Sequence, residues 1–109
     1  MKRKPLIVIS NDDGIKADGI KALYKEFVKF AEVFVIAPEN EKSGASHSVT
    51  IHTPLKVNKV KFCGSYGYSV SGTPADCVKL AIFNLCKRKP DLIVTGINHG
   101  PNYGKFIIY

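Results

Sequence analysis

The chain has 109 residues, enough for one domain with a modest core and near the lower limit for an open α/β sheet. Hydrophobic residues make up 45%, with no apolar run long enough to span a bilayer, so the composition excludes a helical membrane protein and predicts a soluble globular one. The formal charge of +7 invites a nucleic-acid reading, but the lysines are scattered and no aromatic-interleaved basic stripe accompanies them. The charge reads instead as a solvated surface whose field favours small anionic substrates.

The basic start Met1-Lys2-Arg3-Lys4-Pro5 leads straight into a strand and then two aspartates, with neither the apolar stretch nor the cleavage site of a secretory signal, so a cytoplasmic setting is expected. Leu6-Ile7-Val8-Ile9 is a short apolar, β-branched run of the kind that forms a strand buried on both faces. At its mouth stands Ser10-Asn11-Asp12-Asp13-Gly14. Adjacent carboxylates raise the cost of ionising one another, and a shared cation removes that cost. Gly14 lets the backbone turn so that both side chains can address one spot. The plainer reading is an Asx-rich turn closing a strand.

Asp18-Gly19 then opens a run with apolar residues at Ile20, Leu23, Tyr24, Phe27, Val28 and Ala31, which is helical spacing with Asp18 as N-cap. Lys16, Lys21, Lys25 and Lys29 are assigned to this helix. Val33-Phe34-Val35-Ile36-Ala37 is a second strand, stopped by Pro38, and the strand–helix–strand run predicts a parallel pair with a right-handed crossover. Pro38 to Ser48 reads as a polar loop, and Val49-Thr50-Ile51-His52-Thr53 as a half-buried strand. The segments around Lys59 to Phe62 and Tyr66 to Val70 form a hairpin through Cys63-Gly64-Ser65.

Gly72-Thr73-Pro74-Ala75-Asp76 is a helix start: Thr73 caps, Pro74 suits the first helical position, and Asp76 completes a capping-box pair. The helix buries Cys77, Val78, Leu80, Ala81 and Leu85 and ends near Lys87-Arg88-Lys89-Pro90, a basic loop. Asp91-Leu92-Ile93-Val94-Thr95 is a further buried strand opening into the glycine-rich loop Gly96 to Gly104. Cys63, Cys77 and Cys86 are odd in number and lack C-x-x-C spacing, which excludes a disulfide framework and a structural zinc site and predicts reduced, mostly buried thiols.

Three polar loops thus follow apolar strands: Asn11 to Gly14, Ser43 to Ser48, and Gly96 to Gly104. In a parallel sheet they meet at one edge, where ligands collect. Together they offer two carboxylates, hydroxyls and the Asn98 amide oxygen, a hard-oxygen set suited to Mg²⁺, Mn²⁺ or Ca²⁺. Such a cation polarises a phosphoryl oxygen and supplies a hydroxide near neutral pH. The glycine loops match neither phosphate fingerprint, and no nucleophile-elbow sequence is present. His47 and His99 lie in two of the loops, each either a general acid or a solvated loop residue, while His52 is read as structural.

With these segments in hand, the chain resembles the SurE family, the stationary-phase survival proteins that are metal-dependent nucleoside 5'-monophosphate phosphatases. The matching pieces are Ile9 to Ile15, Ala37-Pro38 through Ser43-Gly44, Ser46 to Thr50, Gly72 to Val78, and Pro90 to Asn102. The resemblance implies a Rossmann-like, three-layer α/β/α fold with a mostly parallel sheet plus a β-hairpin. Residues 1–109 would form the N-terminal portion of that fold, its C-terminal part lying beyond. It implies one divalent cation per subunit, Mg²⁺ or Mn²⁺ (or Ca²⁺ in a crystal), on Asp12, Asp13, Ser43 and Asn98. Asp13 and Asp12 are then the catalytic carboxylates, a metal-bound water attacks phosphorus, and Gly44, Asn98 and Asn102 contact substrate. A cytoplasmic homodimer or homotetramer acting on nucleoside monophosphates, sometimes short polyphosphate, is implied, with no membrane or specific nucleic-acid partner.

The chain departs from the family pattern at Phe106, where an aspartate is common, and it stops at Tyr109 before a serine-glycine-threonine segment. The competing readings are a truncated Rossmann-like module that binds metal or nucleotide without turnover, and a basic nucleic-acid binder.

Overall fold

A computed structural model of the chain describes residues 3–40, 54–98 and 105–108, with only the backbone of 97, 98 and 105–108. Strand β1 (Leu6–Ser10) is followed by helix α1 (Asp18–Phe27), β2 (Glu32–Pro38), β3 (Val57–Phe62) and β4 (Ser65–Val70). Helix α2 (Pro74–Leu80) runs on through a π-helical turn (Ala81–Leu85) to β5 (Leu92–Asn98) and β6 (Lys105–Ile108).

The strands form one six-stranded sheet in the order β3-β4-β2-β1-β5-β6. Its four central strands run parallel, with Ile7 opposite both Val33 and Leu92, and its edge strands β3 and β6 run antiparallel to their neighbours. β1 is buried at every position, as a strand with parallel partners on both sides and helices on both faces must be. Successive side chains of β1 and β2 go to opposite faces. Ile7, Ile9, Val35 and Ala37 pack with Ile20, Leu23, Tyr24 and Phe27 of α1. Val8 and Ile36 pack with Cys77, Leu80 and Ala81 beyond the other face. The three-layer arrangement expected from the sequence is therefore present, with the β3–β4 hairpin on one flank.

The connection from β1 to β2 moves one way along the sheet, whereas that from β4 to β5 crosses β2 and β1 in the other direction. The strand order thus reverses between β1 and β5, and the crevice at the carboxyl ends of those two strands is where open α/β sheets take ligands.

Several expectations change in detail. Asp18 is the first helical residue of α1 and Ala17 its N-cap, without a side-chain cap; a carboxylate there offsets the helix dipole instead. The helix ends at Phe27, so Val28 is exposed and Ala31 joins the core from the turn into β2. Lys16 and Lys29 consequently lie outside the helix. Gly96 to Asn98 is strand, not loop, because β5 gains β6 as a second partner, Asn98 opposite Lys105 across a bulge at which Gly96 has φ 146°. Of the thiols, Cys77 is buried but Cys63 is exposed at the hairpin tip, where it takes φ 48° beside Gly64 at 78°. The strand read at Val49 to Thr53 lies outside the described residues. Among the described residues, no helix is long and apolar enough to cross a membrane.

Candidate functional site

β1 delivers its last residue, Ser10, opposite Thr95 of β5, and the chain then turns through Asn11-Asp12-Asp13-Gly14 above the crevice. The turn is built by Asn11. Its Nδ2 donates to the Gly14 carbonyl at 2.9 Å, and the Gly14 N–H donates back to Asn11 Oδ1 at 3.1 Å. Both bonds are buried, so the side chain of Asn11 stands in for a strand partner and closes the loop on itself. Gly14 has φ 106°, a value that only glycine adopts without strain. A further bond, from the Ile15 N–H to the Pro38 carbonyl at 2.8 Å, ties the loop to the end of β2.

This frame leaves Asp12 and Asp13 as consecutive residues that cannot retreat from one another. Burial, and secondarily the charge of Asp13, push the Asp12 carboxyl above its ordinary value. A carboxyl held beside another acid at a cost to its ionisation is one that a cation stabilises. Two hard carboxylates fit Mg²⁺ or Mn²⁺, which take few protein charges and keep other positions for water and phosphate.

Asn98 is the last residue of β5, three positions beyond the Thr95 that faces Ser10, so its backbone ends at the same edge as the aspartates. Ser43, Gly44 and Asn102, together with His47, His52 and His99, lie outside the described residues. The loop bearing Ser43 leaves β2 at Pro38, again at this edge. Among the described residues, no group of three or more histidine, cysteine or acidic side chains is disposed to hold a metal, so the described part of the candidate donor set is the aspartate pair.

The helix start expected at Thr73 is present in full. Thr73 Oγ1 accepts from the Asp76 N–H at 3.1 Å, and Asp76 Oδ2 accepts from the Thr73 N–H at 2.9 Å. A Cβ on Gly72 would come within 2.5 Å of that same carboxylate oxygen and 2.7 Å of Leu55. Each of Gly72, Thr73, Pro74 and Asp76 thereby has a structural duty, and none needs a chemical one. Below this start, Ser10 Oγ is buried without a hydrogen bond of ordinary geometry and meets the thiol of Cys77. Burial pushes that thiol up to about 12, the Ser10 hydroxyl acting against it and Asp76 adding to it. The thiol is protonated and inert at neutral pH.

The contribution of Asn11 was the part of the site that the residue pattern concealed: an Asn three residues before a Gly is a common turn signal, and the burial that makes it a clamp is a property of the fold.

Comparison with known proteins bears directly on these loops. The family model described as "Survival protein SurE" matches residues 7–109. The 5'-nucleotidase SurE of Syntrophomonas wolfei is 51% identical over 104 residues, covering 94% of this chain and 39% of that protein. That of Heliobacterium modesticaldum is 47% identical over 105 residues, with 94% and 39% covered. In three dimensions the chain is similar to the crystal structure of the SurE protein from Aquifex aeolicus, with a TM-score of 0.74 and 42% identity over 90% of this chain and 39% of that one. The chain therefore spans about two fifths of the length of the relatives it matches.

Proposed function

The chain belongs to the SurE family, and from that premise we propose that it carries the metal-binding half of a site that hydrolyses nucleoside 5'-monophosphates. The observation that carries this reading is the Asn11–Gly14 clamp, which holds Asp12 and Asp13 together at the reversal point of the sheet with Asp12 pushed above its ordinary pKa. The relatives' shared name, 5'-nucleotidase SurE, supplies the substrate class.

In this reading Asp12 and Asp13 hold Mg²⁺ or Mn²⁺, with Ser43 and Asn98 completing the set. When bound, the cation supplies a Lewis acid for the phosphoryl oxygens and lowers the pKa of a water. The chain's own residues do the rest. Asp12 and Asp13 hold the cation, and Asp13 orients the attacking water by accepting a hydrogen bond from it. The glycine-containing loops at Gly44 and Asn102, with the Asn98 amide, bind the phosphate and donate to the charge that develops on it. A cytoplasmic setting and a homodimeric or homotetrameric assembly belong to the same proposal.

The test is phosphate release from AMP by the chain with Mn²⁺, without it, and after Asp12→Asn or Asp13→Asn. Release that requires Mn²⁺ and vanishes in both variants is expected; turnover by either variant at the parental rate overturns the role. A second reading is a Rossmann-like module that binds metal or nucleotide without turning the ester over, the described part of the site being the aspartate pair and the backbone end of β5 at Asn98. Titration calorimetry of AMP with and without Mn²⁺ separates the two, since binding without release selects the module.

A further inference from the structure

On the α1 side of the sheet, away from the β1–β5 crevice, a groove of about 570 Å³ opens between the loop after β1, the end of β2 and the β3–β4 hairpin. Its lining brings together three lysines from distant parts of the chain: Lys16 from the loop, Lys21 from α1 and Lys61 from β3. The one carboxylate among the lining residues is Glu39, and none of the three ammoniums is within ion-pair distance of it or of another acid among the described residues. The floor is apolar, with Phe62 buried beneath it, and Asn40 and Asn58 add carboxamides at the rim.

Like charges gathered around one concavity repel, and a fold tolerates this most easily where an anion joins them. The volume suits a mononucleotide. An apolar floor suits a base, carboxamides can pair with the polar edge of a base, and three ammoniums exceed what one phosphate needs. We infer that this groove is a second nucleotide site, which takes a nucleoside di- or triphosphate by its phosphate tail on Lys16, Lys21 and Lys61. The site is distinct from the aspartate pair. In strand order the groove lies on the β2–β4–β3 side of β1, whereas the metal-binding crevice lies on the β5 side. The two share the loop after β1, since Asp13 is three residues before Lys16, so occupancy of the groove is placed to act on the catalytic loop.

The test uses the chain in excess EDTA, which removes the metal-dependent site from the measurement. ATP is titrated calorimetrically into the parent, into Lys16→Glu and Lys61→Glu, and into Asp12→Asn. Binding by the parent and by Asp12→Asn, weakened by about tenfold or more in each lysine variant, is the expected result. Inorganic triphosphate is expected to bind more weakly than ATP, because it lacks the part that covers Phe62. Absence of ATP binding in EDTA, or its loss in Asp12→Asn with the lysine variants unaffected, overturns the second site. Equal binding of ATP and triphosphate overturns its nucleotide character. Lys16 and Lys61 are exposed, and circular dichroism of each variant separates a loss of binding from a loss of fold. Failure here leaves the proposed phosphatase site intact, because that site is read separately by Mn²⁺ titration without EDTA.

Discussion

Asn11 is fully buried with both ends of its carboxamide committed to Gly14, so its side chain behaves as a length of backbone. Replacing it by alanine leaves the buried Gly14 N–H unpaired and the Gly14 carbonyl with the Ala17 N–H alone, which is expected to cost about 1–3 kcal/mol in urea unfolding. The same variant frees the aspartates to separate, and Mn²⁺ affinity is expected to fall in calorimetry. Asn11→Asp keeps the acceptor for the Gly14 N–H but sets an oxygen against the Gly14 carbonyl and adds a third negative charge, so it should be no milder. Asp12 carries the opposite balance. Its carboxyl is pushed above its ordinary value by burial and by Asp13, so the folded chain holds that proton more tightly than the unfolded one. Its contribution to stability is therefore fully present below the unfolded pKa and is lost as pH rises through the higher folded one. Urea midpoints of the metal-free chain, taken from about pH 3 to about pH 7, should carry this decline in the parent and less of it in Asp12→Asn. The thiols form a third contrast: a soluble disulfide reagent should label exposed Cys63 at once and buried Cys77 only on unfolding.

Local chemistry was legible wherever it did not depend on a distant partner. Thr73-Pro74-Ala75-Asp76 reads as a capping box from the sequence, and both reciprocal bonds are present because the motif closes on itself within one turn. Gly72 gains its reason only from the structure, since the atoms that exclude a side chain there include one of Leu55, far along the chain. Gly72→Ala is expected to displace the Asp76 carboxylate and cost at least the value of the cap, about 1 kcal/mol, with Thr73→Ala costing the same amount by itself. The hairpin offers a change of opposite sign. Cys63 and Gly64 both have positive φ, the requirement of a two-residue turn that matches strand twist. Cysteine is poorly suited to φ 48°, whereas asparagine is the favoured residue before glycine in such turns. Cys63→Asn is expected to raise stability by about 1 kcal/mol, read as a higher urea midpoint. The strand ends were less legible than the strands: β5 runs on to Asn98 because β6 pairs with it, a long-range fact that no local pattern carries. The candidate donors divide on the same line. The aspartate pair was evident from its spacing, while the nearness of Asn98 follows from the parallel register of β1 and β5.

At the scale of the molecule, the two ends of the sheet do different work. The carboxyl end of β1 sets Asp12 beside Asp13 in the loop above the crevice, where burial and the neighbouring charge work against an ionised Asp12 in the metal-free fold. The opposite end is tied together by Arg88, which the sequence presented as one member of a solvated basic loop. Its guanidinium donates to the Lys4 carbonyl at 2.7 Å, to Glu32 at 3.2 Å and to Asp91 at 3.3 Å. Asp91 in turn accepts the Leu6 N–H at 2.8 Å, so the starts of β1, β2 and β5 converge on one planar cation. Both carboxylates are more than half exposed, which limits the ion pairs to a small share of the effect and leaves the bond to the Lys4 carbonyl as the larger one. Arg88→Ala is expected to lower stability by about 1–2 kcal/mol. Arg88→Lys should recover little of it, because an ammonium cannot reach three acceptors in one plane. Neither change should alter Mn²⁺ affinity, since the lost bonds lie across the length of β1 from the aspartates. Asp12→Asn should do the reverse, abolishing Mn²⁺ binding while the metal-free chain unfolds at higher urea. The two variants measured side by side, by urea unfolding and Mn²⁺ titration, decide whether the ends are independent. A loss of Mn²⁺ affinity in Arg88→Ala would mean that strain at the base of the sheet reaches the aspartate loop, and the division of labour would fail.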